Sequence, residues 1–395
     1  MSTPTTTRLI RPRSYEETVA AVRDCGARGG IARGGLARGG LTRGGGAWGT
    51  GRAHGDAARN AGGAVLDMTG LDRVHAVDAD DGTVLCDAGL PLRRLAEALL
   101  PLGWLPAVLP ADGPTTVGAA IAADVHGPDH PVSGAFSRHV LALELLTADG
   151  RIVSALPGTD LFDATTGGLG LTGVILTATL RLRPVETSVP RVRTERATDL
   201  DDLLARMTAT GHRPTAARVD TRARGTALGR AVLLHGDRTP HTVPRGAGGL
   251  LGAVRSWPWG YGRGGVVRYQ VAVPSGQEEA LRRIVRRISG RRRPSSPALL
   301  TRLGEADAGW LSFPVPGWSL AVDLPAGLPG LAALLDTLDE EVAHAGGRVR
   351  LAGDSRLRPD LLAAMYPRLA DFRALRAALD PRGIFTSDLS RRLAL

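Results

Sequence analysis

The chain has 395 residues, a hydrophobic fraction of 43% and a formal net charge of +10. Its length exceeds what a single hydrophobic core usually serves, so we predict two domains, and its hydrophobic content excludes wholesale disorder. All 49 basic residues are arginine, and the lack of lysine excludes Schiff-base chemistry, pyridoxal phosphate attachment and a P-loop.

No stretch of the sequence has the length and hydropathy of a membrane span, and the first residues lack the apolar core of a signal peptide. We therefore expect a cytoplasmic protein. Cys25 and Cys86 have no metal-ligand spacing, which predicts buried free thiols and no metal site. The positive charge favours an anionic partner, such as a phosphorylated cofactor or substrate, a membrane surface or nucleic acid.

The first half of the chain mixes helical and strand patterns. Ser14 and Glu17 stand at capping-box spacing, which predicts a helix from Ser14 to Cys25. Further predicted elements are a strand meander over 64–89, an amphipathic helix over 90–104, a hairpin over 139–155 and a strand over 171–184.

Four tandem Arg-Gly-Gly pentads occupy residues 27–46. A five-residue period matches neither a helix nor a strand, which favours a solvated glycine loop lengthened by duplication. RNA binding by Arg-Gly-Gly boxes is the alternative. Such boxes usually lie in tails with interspersed aromatic residues, whereas here Trp48 is the only aromatic residue nearby.

Two segments match the Rossmann fingerprint, at Gly44-x-Gly46-x-x-Gly49 and Gly168-x-Gly170-x-x-Gly173. The fingerprint requires a strand before it and a helix after it. A strand pattern follows the second match, and the residues after the first are too few and too polar to begin a helix. Both matches are therefore disfavoured.

The segment 110–127, "PADGPTTVGAAIAADVHG", is rich in small residues. Such residues allow a main chain to approach a bulky flat ligand closely, and we expect accessible backbone N–H groups at Gly118, Ala119, Ala120, Ala122 and Ala123. Tight helix packing would require the same composition.

The second half begins with a change of composition after Pro190. Arg-rich helical and strand patterns alternate irregularly to about Gly347, and the last fifty residues return to helix and a compact tail. This arrangement predicts an α+β protein with one domain inserted or appended after about residue 188.

Ten ordered segments resemble the FAD-dependent oxidoreductases of the vanillyl-alcohol-oxidase type. They include "GRAHGD" at 51–56, "TTVGAAIAADVHG" at 115–127, "TTGGLGLTGVI" at 165–175, "YQVAVP" at 269–274 and "DSR" at 354–356. The chain is most similar to the decaprenylphosphoryl-ribose oxidases of that family, with the alditol oxidases as more distant relatives.

The resemblance implies an α+β two-domain flavoprotein fold with FAD as cofactor. An FAD-binding domain of two α/β subdomains would span 1–188, a shortened cap domain with an antiparallel sheet 189–346, and a segment returning to the FAD-binding domain 347–395. Carried over by position, the first wall of the FAD site comprises Gly51, Arg52, Ala53, His54, Gly55 and Asp56. The second comprises Thr116, Val117, Gly118, Ala119, Ile121, His126 and Gly127, with Gly173 completing the set.

His54 distinguishes two branches of the family. The matching position is tyrosine in the ribose oxidases, which hold FAD without a covalent bond, and histidine in the alditol oxidases, where it bonds the 8α-methyl carbon. An imidazole nitrogen is a competent nucleophile toward that carbon. Covalent FAD at His54 and a hydrogen-bonding histidine in a non-covalent site are the two alternatives.

Three residues are the candidate catalytic residues: His126 as base, Arg302 as a charge that lowers the pKa of the substrate hydroxyl or clamps a phosphate, and Gln270 beside the substrate.

The resemblance to the ribose oxidases also has departures. Gly353 stands where the ribose oxidases carry a lysine, Ala321 replaces their cysteine, and Arg302 replaces a lysine of the cap.

The resemblance implies oxidation of a secondary hydroxyl of a ribosyl or related sugar to a ketone. A separate short-chain reductase partner would complete an epimerisation. The substrate is expected to be a small sugar or ribosyl compound, phosphorylated or lipid-linked in some alternatives, with no nucleic acid partner. Sugar-alcohol oxidation, flavin binding without catalysis and RNA binding by the Arg-Gly-Gly repeats are the competing hypotheses.

The segment 255–265, "RSWPWGYGRGG", has two interpretations: a packed entrance loop or a peripheral membrane contact.

Overall fold

Three β-sheets organise the part of the chain described by the computed structural model. That part comprises residues 8–27, 45–49, 55–109, 115–185, 192–211, 215–236, 265–289, 297–354 and 356–395. The Arg-Gly-Gly pentads, apart from the strand residues at their end, and nearly all of 255–265 fall outside it.

A small parallel sheet lies near the amino terminus. Its strands, in the spatial order β1-β3-β2, are β1 (Arg8–Ile10), β2 (Gly45–Trp48) and β3 (Ala64–Asp67). Helix α1 (Tyr15–Ala27) buries Val22 and Cys25 against β3, and the Ser14 hydroxyl accepts a hydrogen bond from the Glu17 N–H at 3.2 Å. The predicted first helix is therefore confirmed.

The second sheet is built around a long central strand. Its strands are β4 (Val74–Asp78), β5 (Thr83–Asp87), β6 (Trp104–Pro106), β7 (Val140–Leu146), β8 (Ile152–Ala155) and β9 (Val174–Pro184). They follow the order β4-β5-β9-β7-β8, and β6 pairs with β9. The predicted hairpin and the strand ending at Pro184 are confirmed. The meander is wrong, because β3 pairs in the parallel sheet and only β4 and β5 form a hairpin.

Short helices connect the strands of the second sheet. They are α2 (Leu92–Leu99), α3 (Val117–Ala122), α4 (His130–Ser133) and α5 (Asp160–Thr165). The predicted helix over 90–104 is confirmed for its first part, after which a 3-10 turn and β6 follow. Both Cys25 and Cys86 are buried free thiols, as predicted.

A seven-stranded antiparallel sheet forms the second half. Its strands are β10 (Val192–Ala197), β11 (Thr215–Val219), β12 (Ala231–Gly236), β13 (Val266–Pro274), β14 (Ala298–Leu303), β15 (Gly317–Pro325) and β16 (Arg348–Val349). In the described part of this half, the helices beside the sheet are α6 (Leu200–Ala209), α7 (Glu278–Ser289) and α8 (Leu331–His344).

Strand register gives this sheet two distinct faces. Val271 and Leu320 face the core formed with α7 and α8, which we call the helix face. Side chains alternate along a strand, so Gln270 and its partner Ala321 point to the opposite face, which we call the site face.

The carboxy-terminal segment contributes to two cores. Its helices are α9 (Pro359–Met365), α10 (Leu369–Leu379) and α11 (Asp388–Leu393). Tyr366 and Phe372 pack in the core of the seven-stranded sheet, whereas Phe385 packs beneath the small parallel sheet. The helical pattern of the sequence is interrupted at Tyr366, because Pro367 disfavours helical geometry in the residue before it.

None of the helices in the described ranges is long and apolar enough to cross a membrane.

Asp339 on α8 is a buried carboxyl that accepts a hydrogen bond from the Tyr269 hydroxyl at 2.9 Å. Burial, opposed by this hydrogen bond and reinforced by Asp354, raises the pKa of Asp339 to about 7. Because the folded-state pKa is raised, stability is greatest below the ordinary value of 3.8 and falls as the pH rises toward 7.

We therefore expect Asp339→Asn to stabilise the fold relative to the parent, with an advantage that grows by about 2 kcal/mol between pH 5 and pH 7.5. Urea unfolding of both proteins at the two pH values measures this difference. An advantage independent of pH would contradict the raised pKa.

Candidate active site

Four segments of the chain meet between the second sheet and the seven-stranded sheet. A Cβ on Gly49 would lie 2.3 Å from the Thr116 Oγ1, and a Cβ on Gly55 would lie 2.2 Å from the Asp354 carbonyl oxygen. The Leu169 N–H donates to the carbonyl oxygen of Ala122, the last residue of α3, at 2.9 Å. We call this meeting of residues 45–49 and 55–56 with 116–127, 167–171, 353–354 and 356–357 the junction.

Helix α3 presents a flat surface of small side chains at the junction. Val117 and Ile121 point into the core of the second sheet, where both are fully buried. The half-exposed face carries Gly118, Ala119, Ala122 and Ala123. The absence of large side chains on that face fits the close approach of a flat ring.

The backbone donors at the start of α3 are used within the protein. Val117 N–H and Gly118 N–H donate to carbonyls of the turn between β5 and α2, at 2.9 and 2.7 Å, and Ala119 N–H faces the Thr116 hydroxyl at 3.3 Å. The expectation of accessible N–H groups at Gly118 and Ala119 is therefore wrong. Thr116 caps the helix and is itself buried.

A shallow recess open to solvent lies beside the junction. Its walls come from the parallel sheet, the loop before β3, the 167–171 segment and the carboxy-terminal tail, at Ala47, Ala57, Ala58, Arg59, Asn60, Val65, Leu169, Gly170, Leu171, Thr386 and Ser387.

Two glycines assigned to the cofactor have packing reasons of their own. A Cβ on Gly173 would lie 2.7 Å from the Leu146 carbonyl oxygen of β7, and a Cβ on Gly127 would lie 2.5 Å from the Asp129 Oδ1. Their small size is required by these neighbours whether or not a cofactor contacts them.

His126 lies where the α3 segment meets the seven-stranded sheet. Its ring stacks on Phe313, with centroids 5.4 Å apart and planes 21° apart, and meets the edge of His130 at 5.7 Å. Its Nδ1 is buried and has no hydrogen-bond partner among the described residues. Burial, the Arg350 charge and His130 hold the pKa of His126 well below its usual 6.5. The imidazole is therefore neutral near pH 7.

His130 supports this arrangement from behind. Its Nδ1 accepts the Gly304 N–H at 2.9 Å, so Nε2 carries the hydrogen and donates to Asp307 at 2.9 Å. Asp307 also receives hydrogen bonds from the Arg138 guanidinium at 2.5 Å and the Ala135 N–H at 3.2 Å. Burial opposes ionisation of Asp307, but these donors lower its pKa on balance. The pairing ties the His126 segment to the end of β14.

Asp124 fixes the other side of the His126 segment. Its carboxyl accepts the Ser312 hydroxyl at 2.5 Å and the Ser137 N–H at 3.0 Å. Burial, with a contribution from Asp307, raises the pKa of Asp124 to about 6. Since Ser312 precedes Phe313, this contact holds the aromatic ring against His126.

The site face contributes a row of polar groups. Gln270 Nε2 donates to the Ser319 hydroxyl at 3.0 Å, and Arg350 Nη1 donates to the Gln270 Oε1 at 3.0 Å. The Arg350 N–H also donates to the Gln270 carbonyl at 2.9 Å. Sequence reasoning did not identify Arg350, because one arginine among 49 basic residues carries no distinctive signal. Its place two residues after Arg348, in an alternating strand pattern, was the available clue.

Arg302 does not share a site with Gln270. It pairs with Trp318, whose side chain is on the helix face, and its guanidinium carbon lies 6.0 Å from the Trp318 ring. Gln270 pairs with Ala321 on the site face. Strand alternation thus points Arg302 away from His126, and the residue at the site face of β14 is Thr301.

We expect Arg302→Leu to change the rate of flavin reduction by substrate less than about twofold, because the side chain lies across the sheet from His126. Gln270→Leu, the matched variant on the site face, is expected to lower that rate at least tenfold, since it removes an oriented polar group. Stopped-flow absorbance of the two variants makes the comparison. A larger loss in the Arg302 variant would contradict this placement.

The remaining predicted cofactor residues divide into two groups. Gly55 and Asp56 lie at the junction, and Asp56 N–H donates to the Asp354 carbonyl at 3.1 Å. Gly51, Arg52, Ala53 and His54 lie outside the described residues.

Comparison with known proteins gives three findings. A family model described as an FAD binding domain matches residues 6–156. The chain is 48% identical over 367 residues to an uncharacterised protein of the mprA 5′ region of Streptomyces coelicolor, covering 78% of this chain and 100% of that protein. It is 34% identical over 410 residues to decaprenylphosphoryl-β-D-ribose oxidase of Mycolicibacterium smegmatis, covering 88% and 89%.

A solved structure shares the fold. The crystal structure of 6-hydroxy-D-nicotine oxidase from Arthrobacter nicotinovorans aligns with a TM-score of 0.68 at 15% identity, covering 96% of this chain and 91% of that chain. The predicted α+β flavoprotein fold and the predicted FAD cofactor are confirmed.

Proposed function

This chain belongs to the family of FAD-dependent oxidoreductases that includes decaprenylphosphoryl-β-D-ribose oxidase, and from that premise we propose that it oxidises a secondary hydroxyl of a ribosyl or related sugar to a ketone. FAD, when bound, supplies the acceptor for the hydride that leaves the carbinol carbon. The observation that carries the proposal is the neutral His126, whose Nδ1 is buried and unpartnered among the described residues and whose ring stacks on Phe313 between α3 and the seven-stranded sheet.

His126 accepts the hydroxyl proton in this proposal. Alcohol oxidation requires proton loss from oxygen as the hydride leaves carbon, so a base beside the carbinol is needed. Lysine is absent from the chain, and the carboxyls that anchor the His126 segment, Asp124 and Asp307, are engaged with Ser312 and with His130. The His126 Nδ1 is buried and has no hydrogen-bond partner among the described residues.

Gln270 and Arg350 orient the substrate in this proposal. Their mutual hydrogen bond fixes the carboxamide, with its oxygen toward Arg350 and its NH₂ toward Ser319. The guanidinium places a permanent positive charge near His126, which stabilises negative charge developing on the substrate oxygen.

Several finer assignments are part of the proposal and rest on the family resemblance. The two FAD walls are those named above, the domain boundaries are 1–188, 189–346 and 347–395, and His54 is the residue that would bond FAD covalently. A short-chain reductase that completes an epimerisation, a phosphorylated or lipid-linked sugar and a cytoplasmic location, with or without a peripheral membrane contact, belong to the same proposal.

Anaerobic mixing of the purified flavoprotein with ribosides, sugar alcohols and sugar lactones tests the reaction. Bleaching of the flavin by a riboside, with the ketone identified by mass spectrometry, is the expected result. Bleaching by sugar alcohols alone, or by none of the three classes, would overturn the proposed substrate. Acid precipitation tests His54 separately, since covalent flavin stays with the pellet and His54→Tyr releases it.

A further inference from the structure

Arg392 on helix α11 joins two segments of the junction that are far apart in sequence. Its Nε and Nη2 donate to both Asp56 carboxylate oxygens at 3.1 Å, and Nη2 also donates to Asp354 at 2.8 Å. Its Nη1 donates to the Leu357 carbonyl at 2.5 Å. Every nitrogen of the guanidinium is therefore engaged with the 55–56 or the 354–357 segment.

These two segments are in direct backbone contact at the same place. Asp56 N–H donates to the Asp354 carbonyl at 3.1 Å, and Gly55 leaves no room for a Cβ beside that carbonyl. Asp354 in turn accepts the Leu357 N–H at 3.0 Å, which shapes its own turn. The Arg392 side chain therefore adds hydrogen bonds between two segments that are already joined by a backbone hydrogen bond.

The start of α11 lies on the same segment. Leu389 N–H donates to the Asp56 carbonyl at 3.3 Å, Asp388 N–H donates to the Arg59 carbonyl at 2.7 Å, and the Asp388 carboxylate accepts the Ala61 N–H at 3.0 Å. The helix is therefore docked along 56–61, and Arg392 is the part of it that reaches the 354–357 segment.

The charges at this contact are largely shielded from water. The Arg392 side chain is 24% exposed, and the carboxylates of Asp56 and Asp354 are 14% and 6% exposed. Removing the guanidinium would leave two shielded carboxylates facing each other, which is strongly unfavourable unless one of them moves.

From this geometry we infer that Arg392 is a positioning residue for the cofactor, which holds the wall ending at Asp56 against the 354–357 segment and so couples FAD retention to the docking of α11. The inference rests on the assignment of Gly55 and Asp56 to the FAD site in the proposed function. It requires nothing about the substrate.

Flavin retention is the readout, because it is independent of catalysis. Arg392→Ala is expected to weaken FAD binding at least tenfold, measured by titrating apo-protein with FAD and following the quenching of flavin fluorescence, or to lower the flavin-to-protein ratio to the same extent if the bond is covalent. Arg392→Lys keeps the positive charge but cannot make the paired hydrogen bonds of a guanidinium. Its FAD affinity is expected to lie between those of the parent and Arg392→Ala.

Arg373 provides the matched control. It donates to the Leu393 and Ala394 carbonyls at 3.1 and 2.8 Å and so anchors the end of the same helix, with no hydrogen bond to the described residues of the 55–56 or 354–357 segment. Arg373→Ala is expected to lower the Tm comparably to Arg392→Ala while leaving FAD affinity within twofold of the parent.

Two results would overturn the inference: FAD affinity within twofold of the parent in Arg392→Ala, or equal loss of affinity in Arg373→Ala. Asp56→Asn supplies a second test that does not depend on how well Arg392→Ala folds, since its effect on FAD affinity should be non-additive with that of Arg392→Lys. The two proposals fail in different measurements. If the proposed sugar oxidation is wrong, the parent will not oxidise ribosides, but Arg392→Ala will still bind FAD more weakly than the parent.

Discussion

His126→Ala is expected to lower the rate of flavin reduction by substrate by about 100-fold or more, within the range typical of a lost general base. The reason is that no other described group beside the α3 face is neutral, basic and unengaged. Because His126 also belongs to the proposed second wall of the FAD site, the rate is compared per bound flavin.

The pH dependence makes this prediction specific. Burial and the Arg350 charge lower the pKa of His126, so the imidazole stays neutral down to a pH below its ordinary 6.5. The rate in the parent should therefore be level above pH 6.5 and fall only at lower pH, when the ring takes up a proton. In His126→Ala this acid limb should disappear along with most of the rate.

His344 is the control for a generic effect of losing a histidine. It is exposed on α8, where its Nδ1 is hydrogen-bonded to the Glu340 carbonyl at 2.7 Å. His344→Ala should reduce flavin at the parental rate. If His126→Ala reduces flavin at the parental rate with its FAD site fully occupied, a group other than His126 accepts the proton of the substrate hydroxyl.

Gly55→Ala is expected to release FAD and to destabilise the fold by about 1–3 kcal/mol, the usual cost of overpacking. A Cβ at this position would lie 2.2 Å from the Asp354 carbonyl oxygen and 2.7 Å from the Gly353 carbonyl carbon. Both are backbone atoms, so the contact can be relieved only by separating the two segments of the junction. Flavin per chain and the urea midpoint measure the two effects.

Gly353→Ala is the matched substitution on the opposite segment. A Cβ there has nothing within 4 Å, so we expect a change of less than about 0.5 kcal/mol and parental flavin content. Similar behaviour of the two variants would contradict the close backbone contact at Gly55.

Local patterns in the sequence predicted the elements whose partners are near in the chain. Ser14 begins α1 because its hydroxyl accepts the Glu17 N–H, and the hairpin of β7 and β8 closes over a turn a few residues long. The meander over 64–89 was wrong for the opposite reason. β3 pairs with β1 and β2, which are distant in sequence, and no local pattern specifies that pairing.

The candidate site divides in the same way. The α3 segment was identified from a contiguous stretch of small residues, and His126 was identified from the family resemblance. The expectation for the N–H groups of Gly118 and Ala119 was wrong, because their acceptors are the Ala88 carbonyl and the Thr116 hydroxyl. Arg350 was missed, and Arg302 was grouped with Gln270 although the two lie on opposite faces, because the face of a strand residue depends on register with its neighbours.

By itself, the sequence determined that this is a flavoprotein of a known family. Only the tertiary structure decided which side chains share the site, through the register of β13, β14 and β15 and through the return of Arg392 to Asp56. The physical reason is that the strand register and the Arg392–Asp56 contact both depend on residues far apart in the chain. A one-residue change of register would exchange the two faces of the sheet.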